Sequence, residues 1–184
     1  YEEGKKKLLA HGYHEIGMDH FALKSDAMYQ AFQQGSLHRN FMGYTASKTQ
    51  LMIGLGLSSI SDSWYSFAQN EKTLEDYYAR LEQNEIPVFR GHVLTAEDLM
   101  IRRHILNLMC SFQTSWAEPE MQFPELPEVL KQLEEMQEDG LLTLFEDHLQ
   151  VTEQGKPFVR NICMAFDLRL KRKVPSTRIF SMTI

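Results

Sequence analysis

The fold is decided most clearly by residues 95–109, which have the sequence TAEDLMIRRHILNLM. Thr95 and Asp98 stand three positions apart, the spacing of a capping box that satisfies the free amides at the start of a helix. Apolar residues then recur every three or four positions, which is the period of one helix face. The stretch therefore predicts an amphipathic helix whose buried stripe contains Leu99, Ile101, Ile105, Leu106, Leu108 and Met109.

The sequence after this helix predicts a mostly helical region with one β-hairpin. Prolines punctuate a linker, and Pro127 starts a helix that continues to Asp139 and stops at Gly140. Residues 141–152 alternate as two short strands around an acidic turn, and a last helix follows over 158–170. This order of helices and hairpin is similar to that of a winged helix.

The sequence before residue 90 has the character of an α/β fold. Residues 13–17 form a short strand that runs into a polar turn over 18–22, and Ser25-Asp26 caps a short helix that ends before Gly35. Residues 37–45 have neither helical nor strand period, which predicts a loop.

Residues 51–61, LMIGLGLSSIS, are almost continuously apolar. This pattern predicts a strand buried on both faces of a parallel sheet, where Gly54 and Gly56 would allow a ligand or another backbone to approach closely. A helix beginning at Thr73 ends before Pro87. The chain is thus expected to combine an α/β part with a mostly α part.

Composition restricts the class of protein. The 184 residues carry a net charge of −6 and 43% are apolar, which predicts a globular chain and argues against broad phosphate binding. No apolar run is long enough to span a bilayer. Cys110 and Cys163 lack a CxxC spacing, so the expectation is a reducing, cytoplasmic location with no disulfide or metal knuckle.

A winged-helix order raises nucleic-acid binding as an alternative. Residues 116–147 contain ten acidic residues against one basic residue, Lys131, so the surface that would face phosphate is acidic. The interpretation favoured for the basic residues near the end of the last helix is a solvated face that complements the helix dipole. These residues are Arg169, Lys171, Arg172 and Lys173.

Candidates for metal or nucleophilic chemistry are weak. Glu15, Asp19 and His20 offer metal-ligand atom types, but they lack an ExxH or HxxxH spacing and a third cysteine, so a structural role is favoured. The sequence has no GxSxG, Walker or GxGxxG motif, since Gly54-Leu55-Gly56 lacks the third glycine.

Several sequence blocks carry a family resemblance. The blocks are YHEIGMDHFA at 13–22, LHRNF at 37–41 with GYT at 43–45, GLG at 54–56 with Ser58, Ile60 and Ser61, RNICM with FD at 160–167, and Phe180-Ser181 with Ile184. With these blocks the chain resembles the C-terminal part of the oxygen-independent coproporphyrinogen III oxidases, which are radical S-adenosylmethionine enzymes.

The resemblance implies an incomplete (β/α)6 barrel followed by a helical, winged-helix-like domain. Its implied division is the end of the barrel at 1–70, a connecting helix and linker at 71–94, and the helical domain with its hairpin at 95–184. The implied reaction converts two propionates of coproporphyrinogen III to vinyl groups, giving protoporphyrinogen IX in haem biosynthesis. A [4Fe-4S] cluster and S-adenosylmethionine supply a 5′-deoxyadenosyl radical for this step.

The family's CxxxCxxC cluster motif is absent from this sequence, which also begins without methionine. We therefore expect the cluster cysteines upstream, no metal site and no identifiable catalytic residue in this part, and little activity from this part alone. The implied partners are the tetrapyrrole substrate and an electron donor, with no nucleic acid or membrane, and the expected state is a monomer.

The resemblance also implies contacts to S-adenosylmethionine. Ile60 matches the position that contacts the bound cofactor, and Phe41 matches an aromatic residue beside the cofactor cavity. Gly54 and Gly56 are added because glycine permits close approach. Met42 replaces the family's usual Gln, which exchanges a hydrogen-bonding amide for a thioether.

For the substrate, His20, His38 and Arg39 are candidates because a carboxylate substrate favours Arg and His partners. The alternative family is the radical S-adenosylmethionine haem chaperones, which have a similar barrel. Their equivalent loop has His-Asn followed by Tyr-Trp, and this chain lacks that pattern. The oxidase is therefore the leading interpretation, and the winged-helix nucleic-acid-binding module is the second alternative.

Overall fold

The computed structural model describes residues 1–172. Its helices are α1 (Glu2–Ala10), α2 (Ala27–Gln33), α3 (Leu74–Glu82), α4 (Ala96–Ser111), α5 (Leu126–Glu138), α6 (Val159–Ala165) and α7 (Leu168–Arg172). Its strands are β1 (Tyr13–Gly17), β2 (His20–Leu23), β3 (His38–Asn40), β4 (Gly43–Thr45), β5 (Leu51–Met52), β6 (Ile60–Ser63), β7 (Ser66–Asn70), β8 (Val88–Val93), β9 (Gln113–Ser115), β10 (Leu142–Leu144) and β11 (His148–Val151). Lys173, Phe180, Ser181 and Ile184 lie outside the described residues.

The helical region confirms the predictions made from its apolar period. Thr95 and Asp98 form the capping box of α4, and Gly140, at φ +73°, follows α5. Strands β10 and β11 form the predicted hairpin, and β9 pairs with β11 to give an antiparallel sheet in the order β10-β11-β9. Apolar side chains of α4, α5, α6 and this sheet form one buried cluster.

The last predicted helix is divided in two. Instead of one helix over 158–170, α6 ends at Ala165 and α7 begins at Leu168. Phe166 has no exposed surface and packs in the core at this break. The break allows α7 to place its arginines against the start of α4, where Arg169 Nε donates to Asp98 Oδ1 at 2.6 Å.

Two predictions for the first 45 residues are wrong in their topology. The polar turn at 18–22 returns the chain as β2, which pairs antiparallel with β1. Met18 and Asp19 make this reversal possible because both have positive φ, at 42° and 64°. The predicted loop at 37–45 is a second hairpin, β3–β4, with Phe41 and Met42 as its turn.

The prediction of a doubly buried parallel strand at 51–61 is wrong. Only Leu51–Met52 and residues from Ile60 onward are strand, and they pair antiparallel in a sheet of order β5-β6-β7-β8. The intervening segment is solvent-facing, with Leu55 86% exposed. The apolar residues of this segment belong to a turn that is held by polar contacts. Periodicity alone does not distinguish such a turn from a buried strand.

The predicted connection at 71–94 contains α3 as expected, but Val88–Val93 is the edge strand β8. Every strand pair in residues 1–172 is antiparallel, so the part of the chain that the structure describes supplies no parallel barrel pair. No helix among these same residues is long and apolar enough to cross a membrane.

Candidate functional site

A cavity of about 680 Å³ lies between the β3–β4 hairpin, the strands β6 and β7, and the helices α4, α6 and α7. Its apolar wall includes Phe41, Ile101, Ile105 and Met109. Its size and apolar lining with a few charged groups are those of a small-molecule site. The charged residues around it are Arg39, Asp62, His92, Glu97, Asp98, Arg102, Arg160, Asp167 and Arg169.

Three of the acidic residues in this wall are already paired with arginine. Asp62 accepts from Arg102 Nη2 at 2.8 Å, and Asp98 accepts from Arg169. Glu97 accepts from Arg172 Nη1 at 2.6 Å. The Arg169 guanidinium also holds the pKa of Asp98 well below its usual range. The Asp98 carboxylate therefore remains ionised at neutral pH and does not act as a proton donor.

Arg39 differs from the other arginines in this wall. Its guanidinium carbon lies 4.8 Å from the centre of the Tyr44 ring, a cation–π distance. Its Nη1 atom is buried and has no hydrogen-bond partner within residues 1–172. A buried cationic nitrogen without a partner is energetically costly, so Arg39 offers charge and hydrogen-bonding capacity to a carboxylate ligand.

The nearby thiols are poor nucleophiles. Burial raises the pKa of Cys110 to about 11 and that of Cys163 to about 12. Both thiols are therefore protonated at neutral pH, and a thiolate is the reactive form of cysteine. These two thiols therefore do not supply covalent chemistry to a ligand at neutral pH.

Ile60 and Gly54 are brought together at the end of the four-stranded sheet. A Cβ atom at Gly54 would lie 2.8 Å from the Ile60 carbonyl carbon, so only glycine fits there. Asn70 fixes this turn because its Nδ2 donates to the carbonyls of Gly54, at 3.2 Å, and Gly56, at 2.9 Å. Neither Ile60 nor the two glycines line the 680 Å³ cavity.

Phe41 and Met42 occupy the tip of the β3–β4 hairpin, with 56% and 79% of their surfaces exposed. Phe41 lines the cavity with Arg39, whereas Met42 does not. The structure therefore brings Arg39 and Phe41 together and separates both from Ile60.

The three substrate candidates occupy different places. His20 lies in neither cavity wall; its Nδ1 is 2.8 Å from the Met18 carbonyl oxygen, and its ring packs edge-on against Tyr44. His38 and Arg39 are neighbours on β3, and strand alternation directs them to opposite faces. Arg39 consequently reaches the cavity described above, whereas His38 lines a second one.

Sequence reasoning missed Arg102 as a site residue. Arg102 joins α4 to the sheet, donating to Asp62 and to the backbone oxygen of Ser63 at 2.8 Å. Its position in the sequence of α4 could have indicated this role. An arginine beside the apolar stripe of a helix lies close to the core and needs a hydrogen-bonding or charged partner. Among residues 1–172, no group of three His, Cys, Asp or Glu side chains is arranged to hold a metal ion.

Comparison with known proteins gives consistent matches. Residues 94–158 match the model of the HemN C-terminal domain. The chain is 40% identical over 167 residues to the oxygen-independent coproporphyrinogen III oxidase of Escherichia coli K12, a match that covers 88% of this chain and 36% of that protein. The relative of the same name from Thermostichus vulcanus is 40% identical over 185 residues, covering 97% of this chain and 56% of that protein.

A solved structure gives the same result. It is described as the coproporphyrinogen III oxidase (HemN) of Escherichia coli, a radical SAM enzyme, and matches with a TM-score of 0.84 and 37% identity. The match covers 92% of this chain and 40% of that one, so this chain spans about a third to a half of the relatives it matches. The chain is therefore similar over most of its length to part of the oxygen-independent coproporphyrinogen III oxidases, and its residues 94–158 match the HemN C-terminal domain.

Proposed function

We propose that this chain forms part of an enzyme that oxidatively decarboxylates two propionates of coproporphyrinogen III to vinyl groups. The observation that carries the proposal is a 40% identity over 88% of the chain to a protein named for that oxidase activity. Because the chain spans only 36% of that relative, the activity belongs to the proposal and rests on groups beyond these residues.

The cavity beside Arg39 is our proposed contact to the substrate. A coproporphyrinogen has an apolar macrocycle edged by carboxylates, and this cavity combines apolar helix residues with a guanidinium that lacks a full set of partners. Arg39 would hold a propionate carboxylate through charge-assisted hydrogen bonds. Phe41 would cover the adjoining ring surface.

We place the S-adenosylmethionine contact at Ile60. When bound with a [4Fe-4S] cluster, S-adenosylmethionine supplies the radical that removes a hydrogen atom. Ile60 begins β6, is half-buried, and is held in place by close backbone contact with Gly54, which is compatible with a wall of such a site. The described residues do not fit the cluster itself, since they contain two cysteines, Cys110 and Cys163, and no cysteine triad.

The finer architecture is also part of the proposal. We assign the parallel strands of a partial (β/α)6 barrel to the part of the relatives that this chain does not span, with residues 1–70 as the C-terminal end of that barrel. The order of α4, β9, α5, β10, β11 and α6 is compatible with a winged-helix-like domain. The reaction removes electrons from the substrate and needs an electron donor to cleave S-adenosylmethionine, and we expect the enzyme to act as a monomer.

The test uses the complete protein, reconstituted anaerobically with iron and sulfide and supplied with coproporphyrinogen III, S-adenosylmethionine and a reductant. Chromatography should show the divinyl product. An intact cluster spectrum without vinyl product would contradict the proposal, and stable haem binding under the same conditions would favour the chaperone alternative.

The role of Arg39 is tested separately in the same assay. Arg39→Gln should raise the KM for coproporphyrinogen about tenfold or more, because one charge-assisted hydrogen bond is lost. Arg39→Lys should recover part of the loss. Arg90→Gln, at an exposed arginine of β8 outside the cavity, is the matched control, and an equal effect in both variants would exclude a substrate contact at Arg39.

A further inference from the structure

A second cavity, of about 780 Å³, lies on the opposite side of β3 from Arg39. Its wall is formed by residues 35–38, by 46 and 48–50, by Trp64 and Tyr65, and by one face of α4. Among the residues of this wall, two are permanently charged, Lys48 and Arg103, and none is acidic. The first cavity contains four carboxylates, so the two concavities have different charge character.

The absence of acids in this wall is notable because the chain as a whole carries a net charge of −6. Within residues 1–172, Lys48 and Arg103 make no ion pair or side-chain hydrogen bond. Two cations in one concave wall raise the local electrostatic potential and concentrate anions there.

His38 provides an independent indication of a ligand. It is only 7% exposed, lines this cavity, and its side chain makes no hydrogen bond within the described residues. Burial lowers the pKa of His38, and the charges of Lys48 and Arg102 lower it further, with Asp62 opposing them. The ring nitrogens of His38 are not among the fully buried side-chain atoms that lack a partner, so they keep accessible surface through which a ligand could reach them.

The rest of the wall is suited to an organic molecule. Trp64 and Tyr65 supply aromatic surface, and Leu106 supplies an aliphatic one. The Trp64 ring is held in place by the Arg102 guanidinium, whose carbon lies 4.9 Å from the ring centre. A fixed aromatic wall beside cations binds the ring or alkyl part of an anion while the cations bind its charged end.

We infer that this cavity binds a small organic anion, with phosphate or carboxylate oxygens placed between Lys48, Arg103 and His38. The site is separate from the proposed coproporphyrinogen contact, because α4 and β3 divide the two cavities. Leu106 of α4 lines both cavities.

The test is isothermal titration of the complete protein with two probes at fixed ionic strength, inorganic pyrophosphate and tricarballylate. We expect saturable binding of at least one probe. The tighter probe identifies phosphate or carboxylate as the preferred group. The double variant Lys48→Gln and Arg103→Gln should weaken that binding at least tenfold, since two charge-assisted contacts are removed.

Lys24→Gln is the matched control, because Lys24 is exposed and lies outside both cavities. His38→Leu should also weaken binding, and His38→Gln should keep part of it because the amide still donates. Lys48 and Arg103 are exposed, so their variants should fold normally even if the His38 variants do not. Absence of saturable binding by both probes, or equal weakening in Lys24→Gln and the double variant, would overturn the inference.

Discussion

The helical region and the four-stranded sheet β5–β8 are stabilised in different ways. In the helical region, Leu108, Leu149 and Phe166 have no exposed surface and belong to one apolar cluster. The region of the sheet instead exposes large apolar side chains to solvent. Leu55, in the turn between β5 and β6, is 86% exposed, and Val93, in β8, is 75% exposed.

The buried residues of the sheet region are polar. Asn70 and Glu71 are 6% and 7% exposed, and Glu71 accepts from Arg80 Nε at 2.6 Å. Asp62, equally buried, is paired with Arg102 of α4. Apolar packing therefore specifies the helical region, whereas hydrogen bonds and ion pairs specify the sheet.

The largest effect should come from the apolar core. Phe166→Ala removes a ring that stacks on His104 at 5.1 Å between centroids. Loss of this buried aromatic should lower the free energy of unfolding by about 3–5 kcal/mol, measured by chemical denaturation. Phe158→Ala, at a 45% exposed site earlier in the sequence, is the control. A comparable loss in the control would remove the distinction between core and surface.

A smaller loss should follow from the polar interior of the sheet. Asn70→Ala removes the donor shared by Gly54, Gly56 and Ser59. The Gly54 carbonyl oxygen then loses this partner, whereas the Gly56 carbonyl oxygen still accepts from Ser59 Oγ at 2.7 Å. The expected decrease in the free energy of unfolding is about 2 kcal/mol. Gln83→Ala at the exposed end of α3 should change stability by less than about 0.5 kcal/mol. If Asn70→Ala is neutral, the polar network does not stabilise the sheet.

The capping carboxylate of α4 should make the helical region sensitive to pH. Arg169, and to a smaller degree Thr95 and His92, hold the pKa of Asp98 below its usual range. Its folded pKa lies below its unfolded pKa, so its contribution is complete above about pH 4 and is lost as the pH falls further. Asp98→Asn should therefore cost about 1 kcal/mol at pH 7, limited by the exposure of Arg169.

This difference between the parent and Asp98→Asn should shrink when denaturation is repeated between about pH 4 and pH 2. Asp139→Asn, at the end of α5, supplies the charge-matched comparison. A difference that is constant with pH would show that ionised Asp98 is not the stabilising species.

The smallest effect should come from the apolar residues that the sheet region exposes. Leu55→Ser should change the free energy of unfolding by less than about 0.5 kcal/mol, because little apolar surface is buried there. Leu133→Ser, at a site with no exposure in α5, is the buried comparison and should be strongly destabilising. A loss above about 1 kcal/mol from Leu55→Ser would mean that this turn is packed against another part of the protein.

The sequence predicted the structure best in the helical region, where apolar packing specifies it. The apolar period of residues 95–109 predicted α4 and its capping box, and Ile101, Leu108 and Met109 are buried as predicted. Leu99, Ile105 and Leu106 are only half-buried, and the buried Met100 and His104 were not part of the predicted stripe. Gly140 and the hairpin at 141–152 were predicted for the same reason, since local turn chemistry and core packing agree there. The break at Phe166 was not predicted, because that side chain fits the apolar period on either side of it.

Prediction failed where polar contacts decide the structure. Residues 51–61 have the composition of a buried strand, but Asn70 and Ser61 hold them in an exposed turn. Ser61 Oγ, for example, accepts from the Gly54 amide at 3.0 Å. Such side-chain contacts join residues far apart in sequence and leave no period to detect.

For the candidate site, the residue types indicated side chains that line cavities, but their order in the sequence did not show which of them lie together. Arg39 and Phe41 do line one cavity, while the neighbouring His38 lines the other. Adjacent residues of a strand point to opposite faces, so a motif read as one unit is divided once β3 forms. The roles given to His20, His38, Arg39 and Ile60 remain predictions.

The contacts of α7 also set an order of events in folding. Arg169 and Asp98 are 71 positions apart and Arg172 and Glu97 are 75 apart, whereas the Thr95–Asp98 cap spans three positions. Closing a long loop costs more chain entropy than closing a turn, so α7 should dock after α4 has formed. Added salt weakens exposed ion pairs. Amide hydrogen exchange in α7 should consequently accelerate with ionic strength well before exchange in the middle of α4 does.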